Sequence, residues 1–313
     1  MTQNKDRMQT GRRLLQIRER TARVVFALCA LFSLAALCTI TVFLLVNGVP
    51  FIAKSGVGEF LLGTDWNPLG NPPAYGILPM MVGTLYVTAL SVLIGVAVGL
   101  LSAVCLYRFC PRRLVSPIRQ MIQLLAGIPS VIFGLFGMTI IVPFLRDYVS
   151  PNGVGYGILA ASLVLAVMIL PTVVSMSLDA LNAVSESYYE GALALGATPA
   201  EATFRIMLPA AKNGIAAGIV LAVGRALGET MAVIMVIGGS PEMPNSLFQC
   251  VRTLTSNIAM GAMELDDNVL SALIASGVVL FVFALLLNVS FSFLKKETRE
   301  KKKRKGGRSR ERA

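Results

Sequence analysis

Six long apolar stretches are the feature that most constrains this 313-residue chain. They cover residues 24–46, 77–104, 120–144, 156–179, 213–238 and 269–294. Each exceeds the roughly 20 residues that a helix needs to cross a bilayer, whereas a barrel strand would alternate apolar and polar residues over about ten positions. The sequence therefore predicts an all-α polytopic integral membrane protein with six transmembrane helices in 24–294, between basic tails at 1–23 and 295–313.

The distribution of basic residues predicts how the chain crosses the membrane. Of the 28 Lys and Arg residues, 24 lie in the two tails or in the connections 105–119 and 181–212. Only Lys54, Arg146 and Arg252 lie in segments on the opposite side. Under the positive-inside rule, both termini and the two basic connections are cytoplasmic. The net charge of +11 then reflects topology and attraction of the C-terminal tail to anionic lipid headgroups, and no nucleic-acid partner is expected.

The composition excludes several classes of enzyme. The chain contains no histidine, which excludes Ser-His-Asp hydrolysis and metal sites that use histidine. Its five cysteines form no CxxC pair and lie mostly in or beside apolar runs, where cysteine packs as a small hydrophobe. No GxxxxGK[ST] phosphate-binding loop occurs, so any ATP hydrolysis belongs to a partner. We predict a transport subunit without catalytic residues, cofactor or metal of its own.

Small residues and prolines inside the spans predict how the helices pack. Three pairs of glycines are spaced so that both members share one helical face: Gly95 and Gly99, Gly214 and Gly218, and Gly224 and Gly228. Pro129, Pro143 and Pro171 lie inside predicted spans and are expected to break backbone hydrogen bonds locally. Broken helices are tolerated in membranes beside protein or a watery cavity, so the prolines weakly indicate a pathway.

The basic connection before the fifth span contains two predicted helix starts. Ser187 with Glu190, and Thr198 with Glu201, both fit a capping box. Gly196 between them suits the left-handed residue that ends a helix. The pattern predicts a short helix, a sharp turn and a second helix that runs into the fifth span. Capping alone is equally compatible with an amphipathic helix that lies on the membrane.

A charged pair interrupts the fifth predicted span. Arg225 lies near its middle, where a charge costs about 2.5–3.5 kcal/mol on insertion scales. Glu229 follows four residues later and would share its helical face. The pair is either a structural ion pair that locks two helices, or part of an anion pathway. In a pathway, Arg225 would attract an oxyanion through its planar donor fork, and Glu229 would weaken that attraction enough for release.

Seven residues of the 181–212 connection resemble the EAA loop of ATP-binding-cassette (ABC) importer permeases. They are Glu190, Gly191, Ala192, Gly196, Ile206, Leu208 and Pro209. Gly191 is the one visible departure, because the family has alanine there. The resemblance implies that this helix pair inserts into a groove on a separate ATP-hydrolysing subunit and transmits its closure.

Three further runs resemble the permeases of phosphate-specific ABC importers. They are RALGETMAV at 225–233, AGIPSVIFGLFG at 126–137, and FLLGTDWNP followed by YGILPMMVGTL within 60–85. The Trp-Asn-Pro segment is similar to the C-type chain, the PstC family, rather than to its partner, the PstA family. The resemblance covers residues from about Phe60 to Asn257. It implies the MetI-like six-span fold and a substrate pathway that includes Arg225, Glu229 and Thr230.

The resemblance also implies partners for this chain. They are a second permease (PstA-like), a dimeric ATP-binding subunit (PstB-like) and an extracytoplasmic phosphate-binding protein (PstS-like), which is expected to meet the outer segments 47–76 and 239–268. Another oxyanion, such as sulfate, molybdate or phosphonate, remains an alternative cargo. An ion-coupled secondary transporter is a more distant alternative. Such proteins often have several ionisable residues inside the membrane and two similar halves, whereas this sequence has one ionisable pair at mid-span and no similarity between 1–150 and 151–313.

Overall fold

The computed structural model describes the backbone of residues 2–262, 266–286 and 289, with side chains from residue 18 onward. The predicted basic tail 295–313 and the end of the sixth predicted span lie outside the described residues. The helices are α1 (Thr2–Ser55), α2 (Val57–Leu62), α3 (Leu78–Val104), α4 (Arg112–Ala126), α5 (Ser130–Phe136), α6 (Val142–Tyr148), α7 (Ile158–Asn182), α8 (Ser187–Ala194), α9 (Pro199–Glu201), α10 (Leu208–Leu227), α11 (Met231–Ile237), α12 (Leu254–Gly261) and α13 (Asp267–Leu286). Short π-helical turns are Cys105–Phe109, Gly137–Ile141 and Ala202–Met207.

Among the described residues, six helical stretches are long and apolar enough to cross a membrane. They are Arg18–Ser55, Leu78–Phe109, Ser130–Tyr148, Ile158–Asn182, Pro199–Leu227 and Asp267–Leu286. Each overlaps one of the predicted spans in order along the chain. The all-α fold class and the number of six spans are therefore confirmed, while several bounds differ from the prediction.

The first span is much longer than predicted. Helix α1 continues past residue 46 and through Pro50 to Ser55, so the predicted outer segment 47–76 is helical in its first part. The rest of that segment contains α2 and a two-residue antiparallel hairpin, β1 (Trp66–Asn67) with β2 (Ala74–Tyr75). The helix contacts α13 near Pro50: a Cβ on Gly48 would lie 2.6 Å from the side chain of Val278.

The third predicted span, 120–144, is wrong at its start. Its first residues belong to α4, a separate helix that ends at Ala126. The membrane-length stretch begins only at Ser130, after Pro129. A proline disfavours helical geometry in the residue before it, which explains the break. The predicted span began too early because the apolar residues of α4 continue directly into those of the third span.

The three prolines behave differently from one another. Pro129 separates α4 from α5, as expected. Pro143 lies in the first turn of α6, just after a π-helical turn, and so occupies a position that tolerates a missing N–H. Pro171 lies inside α7, which continues through it, so the break predicted there is wrong. Helix α7 is packed between α3 and α10, and this packing holds its helical path across the missing hydrogen bond.

Helix α7 forms the centre of the molecule, and glycines bring α3 against it. A Cβ built on Gly95 would lie 2.7 Å from Ile169, and one on Gly99 would lie 2.8 Å from Val173. Such contacts are shorter than atoms allow, so only glycine permits this separation of the two helices. The predicted role of the first glycine pair is confirmed.

The other two glycine pairs lie on α10 and differ. Gly214 and Gly218 abut Ala180 and Met176 of α7, where an added Cβ would come within 2.6 Å of a side chain. A Cβ on Gly224 would meet nothing within 4 Å. The second pair packs as predicted, whereas no described residue of another helix packs against Gly224, so its helical face is open there.

Part of the outer segment 239–268 is buried, which corrects its expected place on the surface. Gly238 forms a parallel bridge with Val251, and the Val251 N–H donates to the Ile237 carbonyl at 3.1 Å. Helix α12 follows and packs against α3 and α11. Its first turn is closed by a capping box between Thr253 and Ser256. The chain thus turns back into the helical bundle after α11.

Candidate functional site

The predicted helix–turn–helix of the basic connection is present as α8 and α9. Gly196 between them has a φ of +88°, in the left-handed region. Its N–H donates to the Leu193 carbonyl, and the Ala197 N–H donates to the Ala192 carbonyl at 3.1 Å. This pair of bonds is the Schellman arrangement that ends a helix. The sharp turn therefore depends on a residue without a Cβ.

One of the two predicted capping boxes forms. The Glu201 N–H donates to the Thr198 hydroxyl at 3.3 Å, and the Thr198 N–H donates to the Glu201 carboxylate at 3.1 Å. At α8 the prediction is wrong, because the cap position is Glu186 and no side chain caps it. Ser187 is already helical, and its hydroxyl contacts that of Ser185 at 2.8 Å instead. Thr198 is followed by Pro199, whose fixed φ favours the first helical position, whereas Ser187 is followed by Tyr188 and lacks this help.

The helix pair has a buried face and an open face. Tyr189 and Ala192 pack into a cluster with Val104, Leu181 and Met207. Four residues that resemble the EAA loop are exposed: Glu190, Gly191, Ile206 and Pro209. Leu208, which belongs to the same motif, is half-buried. The tip of the pair is the most open point: the Leu195 side chain is 91% exposed. This face of the helix pair is therefore free of contacts with the rest of the described chain at its tip.

The fifth span is broken where the sequence places its charged pair. Helix α10 ends at Leu227 and α11 begins at Met231, so Gly228, Glu229 and Thr230 lie between two helices. Arg225 is therefore in the last turn of α10 and not at mid-helix. The helical spacing assumed for Arg225 and Glu229 does not hold.

Arg225 lies on an open groove. The groove has a volume of about 570 Å³ and is lined by Thr172, Ala217, Val220, Leu221, Gly224 and Arg225. The lining residues come from α7 and from one face of α10, the face that Gly224 leaves open. The Arg225 side chain is half-buried, so its charge is presented to this groove within mainly apolar walls. An arginine in that setting attracts anions more strongly than one in bulk water.

Glu229 has a different partner from the one predicted. Its Oε1 accepts a hydrogen bond from the Ala232 N–H at 3.1 Å, at the start of α11. Among the ion pairs of the described residues, none joins Arg225 to Glu229. The structural ion pair is thus not formed, because the free N–H groups at the start of α11 offer the carboxylate a nearer partner. Thr230 donates to the Gly228 carbonyl at 3.4 Å and completes the break.

Sequence reasoning missed a residue that holds this break. The Thr255 hydroxyl, on α12, donates to the Glu229 carbonyl at 3.0 Å. The adjoining Leu254 N–H donates to the Thr84 hydroxyl of α3, also at 3.0 Å. Nothing in the local sequence signals these bonds, because they join positions 26 and 170 residues apart. In the described part of the chain, no group of three or more His, Cys, Asp or Glu is placed to hold a metal ion.

A family comparison agrees with this architecture. The profile described as binding-protein-dependent transport system inner membrane component matches residues 95–300, which is most of the chain. The chain belongs to this family. It is therefore an ABC transporter permease, a non-catalytic, multi-pass subunit of the inner membrane. Membership in a binding-protein-dependent system implies a partner permease, an ATPase and a periplasmic binding protein.

Curated relatives of this permease cover most of its length. It is 37% identical over 304 residues to the probable ABC transporter permease protein YqgH of Bacillus subtilis, covering 94% of this chain and 98% of the relative. It is 38% identical to the phosphate transport system permease protein PstC of Mesorhizobium japonicum, covering 73% and 75% of the two chains. For PstC of Xylella fastidiosa, identity is 36% and coverage is 90% of each chain.

Solved structures with the same fold are more distant in sequence. A chain of the inward-facing MetNI methionine ABC transporter superposes with a TM-score of 0.56 at 21% identity, covering 71% of this permease and 95% of that chain. A chain of a bacterial alginate ABC transporter gives a TM-score of 0.58 at 17% identity, covering 86% and 94%. These similarities confirm the MetI-like fold and say nothing about the cargo.

Proposed function

We propose that this permease carries inorganic phosphate and forms one half of the translocation pathway of an ATP-driven importer. The observation that carries the proposal is the identity of 36–38% to PstC proteins over 73–90% of this chain. The runs that resemble phosphate importers include Arg225, the one basic residue that sequence analysis placed inside a span. Phosphate, with its tetrahedral oxygens, suits the donor fork of an arginine.

The substrate pathway is proposed to run along the groove beside Arg225. The open face of α10 supports this, since no residue in the described part of another helix would meet a Cβ on Gly224, and a second permease would complete the wall. Arg225 supplies the attraction for the anion. Glu229 and Thr230 form the break at the end of α10, where the Glu229 carboxylate limits how tightly an anion is held.

Coupling to ATP hydrolysis is proposed to occur through α8 and α9. The open face of this helix pair, with Leu195 at its tip, is the surface that would enter a groove on a dimeric ATP-binding subunit. The exposed Glu190, Gly191, Ile206 and Pro209 would contact that subunit directly. Ala192 and Leu208 would support the pair from inside.

The remaining partners follow from the same proposal. Both termini, with the basic tails 1–23 and 295–313, are cytoplasmic, the charge of the C-terminal tail attracts anionic lipid headgroups, and 24–294 forms the transmembrane domain. A PstA-like permease completes the pathway, and a PstS-like binding protein delivers phosphate to the outer side. Because residues 253–257 are buried, the binding protein would meet the segments before α3 and around residues 244–247.

The cargo is tested by uptake into proteoliposomes that contain this permease with its partner permease, ATPase and binding protein. We expect ATP-dependent accumulation of labelled phosphate that excess sulfate or molybdate does not inhibit. Liposomes with an ATPase unable to hydrolyse ATP provide the control. Uptake of sulfate, molybdate or a phosphonate without uptake of phosphate would overturn the assignment of cargo and leave the family assignment intact.

A further inference from the structure

Arg108 joins the end of α3 to the start of α8. It lies in the π-helical turn Cys105–Phe109 that continues α3, where sequence analysis treated it only as a topology signal. Its guanidinium carbon lies 3.7 Å from the centre of the Tyr189 ring, and the guanidinium also pairs with the Glu186 carboxylate. One side chain at the end of the second span therefore contacts both Tyr189 of α8 and Glu186, the residue that caps α8.

The two partners of Arg108 set the position of α8. Glu186 is the cap residue at which α8 begins, and its carbonyl accepts hydrogen bonds from the N–H groups of Tyr189 and Glu190. Tyr189 is 9% exposed and is the inward-facing neighbour of Glu190. Arg108 thus contacts α8 on its buried side, next to the residues that face outward for docking.

Local packing does not need a charged residue at this place. Tyr189 and Ala192 already pack against Val104 and Met207, and Phe109 stacks on Phe204 with ring centres 6.4 Å apart. The Nε of Arg108 is nevertheless buried, with no hydrogen-bond partner within the described structure. Burying an unsatisfied donor is unfavourable, so it is the contacts with Glu186 and Tyr189 that favour arginine here.

Arg108 also connects α8 with closely packed helices of the bundle. It follows directly from α3, which glycines hold tightly against α7, and α7 in turn packs against α10 with Arg225. A movement of α8 that is passed to Arg108 therefore reaches the wall of the groove through closely packed helices. Such contiguous packing can carry energetic coupling between distant sites.

We propose that Arg108 is a positioning residue that transmits the movement of α8 to α3, and so couples ATP hydrolysis to transport. The inference rests on the proposed docking role of α8 and assigns the link between that surface and the pathway. Stacking on Tyr189 keeps the guanidinium in line with α8, and the pair with Glu186 fixes the start of the helix. Together these two contacts make α8 and the end of α3 move as one body.

The test measures phosphate imported per ATP hydrolysed by the complete complex in proteoliposomes. Arg108→Gln is expected to lower this ratio about tenfold while the subunits still purify together. Arg108→Lys keeps a positive charge for Glu186 but loses the planar stack, so it should restore only part of the ratio. Tyr189→Phe keeps the ring and should resemble wild type, whereas Tyr189→Leu should resemble Arg108→Gln.

Two further variants separate transmission from folding. The double variant Arg108→Gln with Tyr189→Leu should lose no more than either single variant, because both remove the same contact. Arg119→Gln breaks another ion pair on the same side, between Arg119 and Asp179 at 2.8 Å, and should change the ratio by less than about twofold.

The outcomes distinguish this inference from the proposed cargo. If the wild-type complex imports no phosphate, the cargo is wrong, and the same ratio is measured with sulfate, molybdate and a phosphonate. If the wild type imports its anion and Arg108→Gln or Arg108→Lys keeps the wild-type ratio, the inference is overturned. Equal loss of uptake and hydrolysis in Arg108→Gln, with a normal ratio, would also overturn it, because a purely structural role predicts that result.

Discussion

Replacing Arg225 with glutamine is expected to abolish phosphate uptake while the four-subunit complex still assembles. Glutamine removes the charge and the donor fork that faces the groove. Two charge-assisted hydrogen bonds, each worth about 1.5–3 kcal/mol, would be lost, which predicts a fall in uptake of at least about 100-fold. Assembly should persist because the helix becomes more apolar and Arg225 has no ion pair with Glu229 to lose.

A matched variant shows whether the effect belongs to this position. Arg146→Gln removes an exposed arginine that pairs with the adjacent Asp147 at 2.8 Å, and uptake should remain near that of the wild type. Uptake and the yield of purified complex are measured for both variants. Poor assembly of Arg225→Gln with normal uptake per surviving complex would show that Arg225 is structural.

Replacing Gly196 with valine is expected to uncouple ATP hydrolysis from uptake. A β-branched residue at a φ of +88° is strained by about 1–3 kcal/mol, so the turn between α8 and α9 would relax to another geometry. The exposed Leu195 beside it would then no longer point into the groove of the ATPase. We expect hydrolysis to continue at a measurable rate while uptake falls about tenfold or more.

The control for this variant applies the same strain elsewhere. Gly153 has a φ of +65°, and a Cβ there would also meet nothing within 4 Å, but it lies in the loop before α7 on the opposite side. Gly153→Val should lower the melting temperature about as much as Gly196→Val and leave hydrolysis and uptake coupled. Full coupling in Gly196→Val would contradict the docking role of the helix pair.

The number of spans could be predicted from sequence because it depends on apolar length, which the bilayer fixes. Their ends could not, because hydropathy does not detect backbone chemistry. Helix α4 is apolar along one side, so hydropathy joins it to the third span. The two helices are in fact separated at Pro129. Conversely, Pro171 suggested a break that packing of α7 against α3 and α10 prevents.

In the candidate site, too, local features could be predicted from sequence and features that depend on neighbouring helices could not. Gly196 and the Thr198 box were predictable because each depends on residues within a few positions. The Arg225–Glu229 pair was not, because Gly228 ends the helix and the Glu229 carboxylate bonds to the next helix instead.

Contacts between distant parts of the chain left no trace in the sequence. Thr255 reaches the break in the fifth span from α12, and Arg108 reaches Tyr189 from the end of α3. Neither residue lies in a motif that resembles a family. Both become visible only when the packing of the spans brings their partners within bonding distance.

Whether the groove beside Arg225 conducts phosphate is measured most directly by the reactivity of a cysteine placed at Leu221, a groove residue that is 57% exposed. The five native cysteines are first replaced. In the assembled complex, a water-soluble thiol reagent should modify Leu221→Cys and block uptake, and phosphate delivered by the binding protein should slow the modification. Leu93→Cys, at a position that is 69% exposed in this chain but outside the groove, should react slowly and regardless of phosphate. Resistance of Leu221→Cys to the water-soluble reagent, together with modification by a membrane-soluble one, would place the groove against lipid and contradict the proposed pathway.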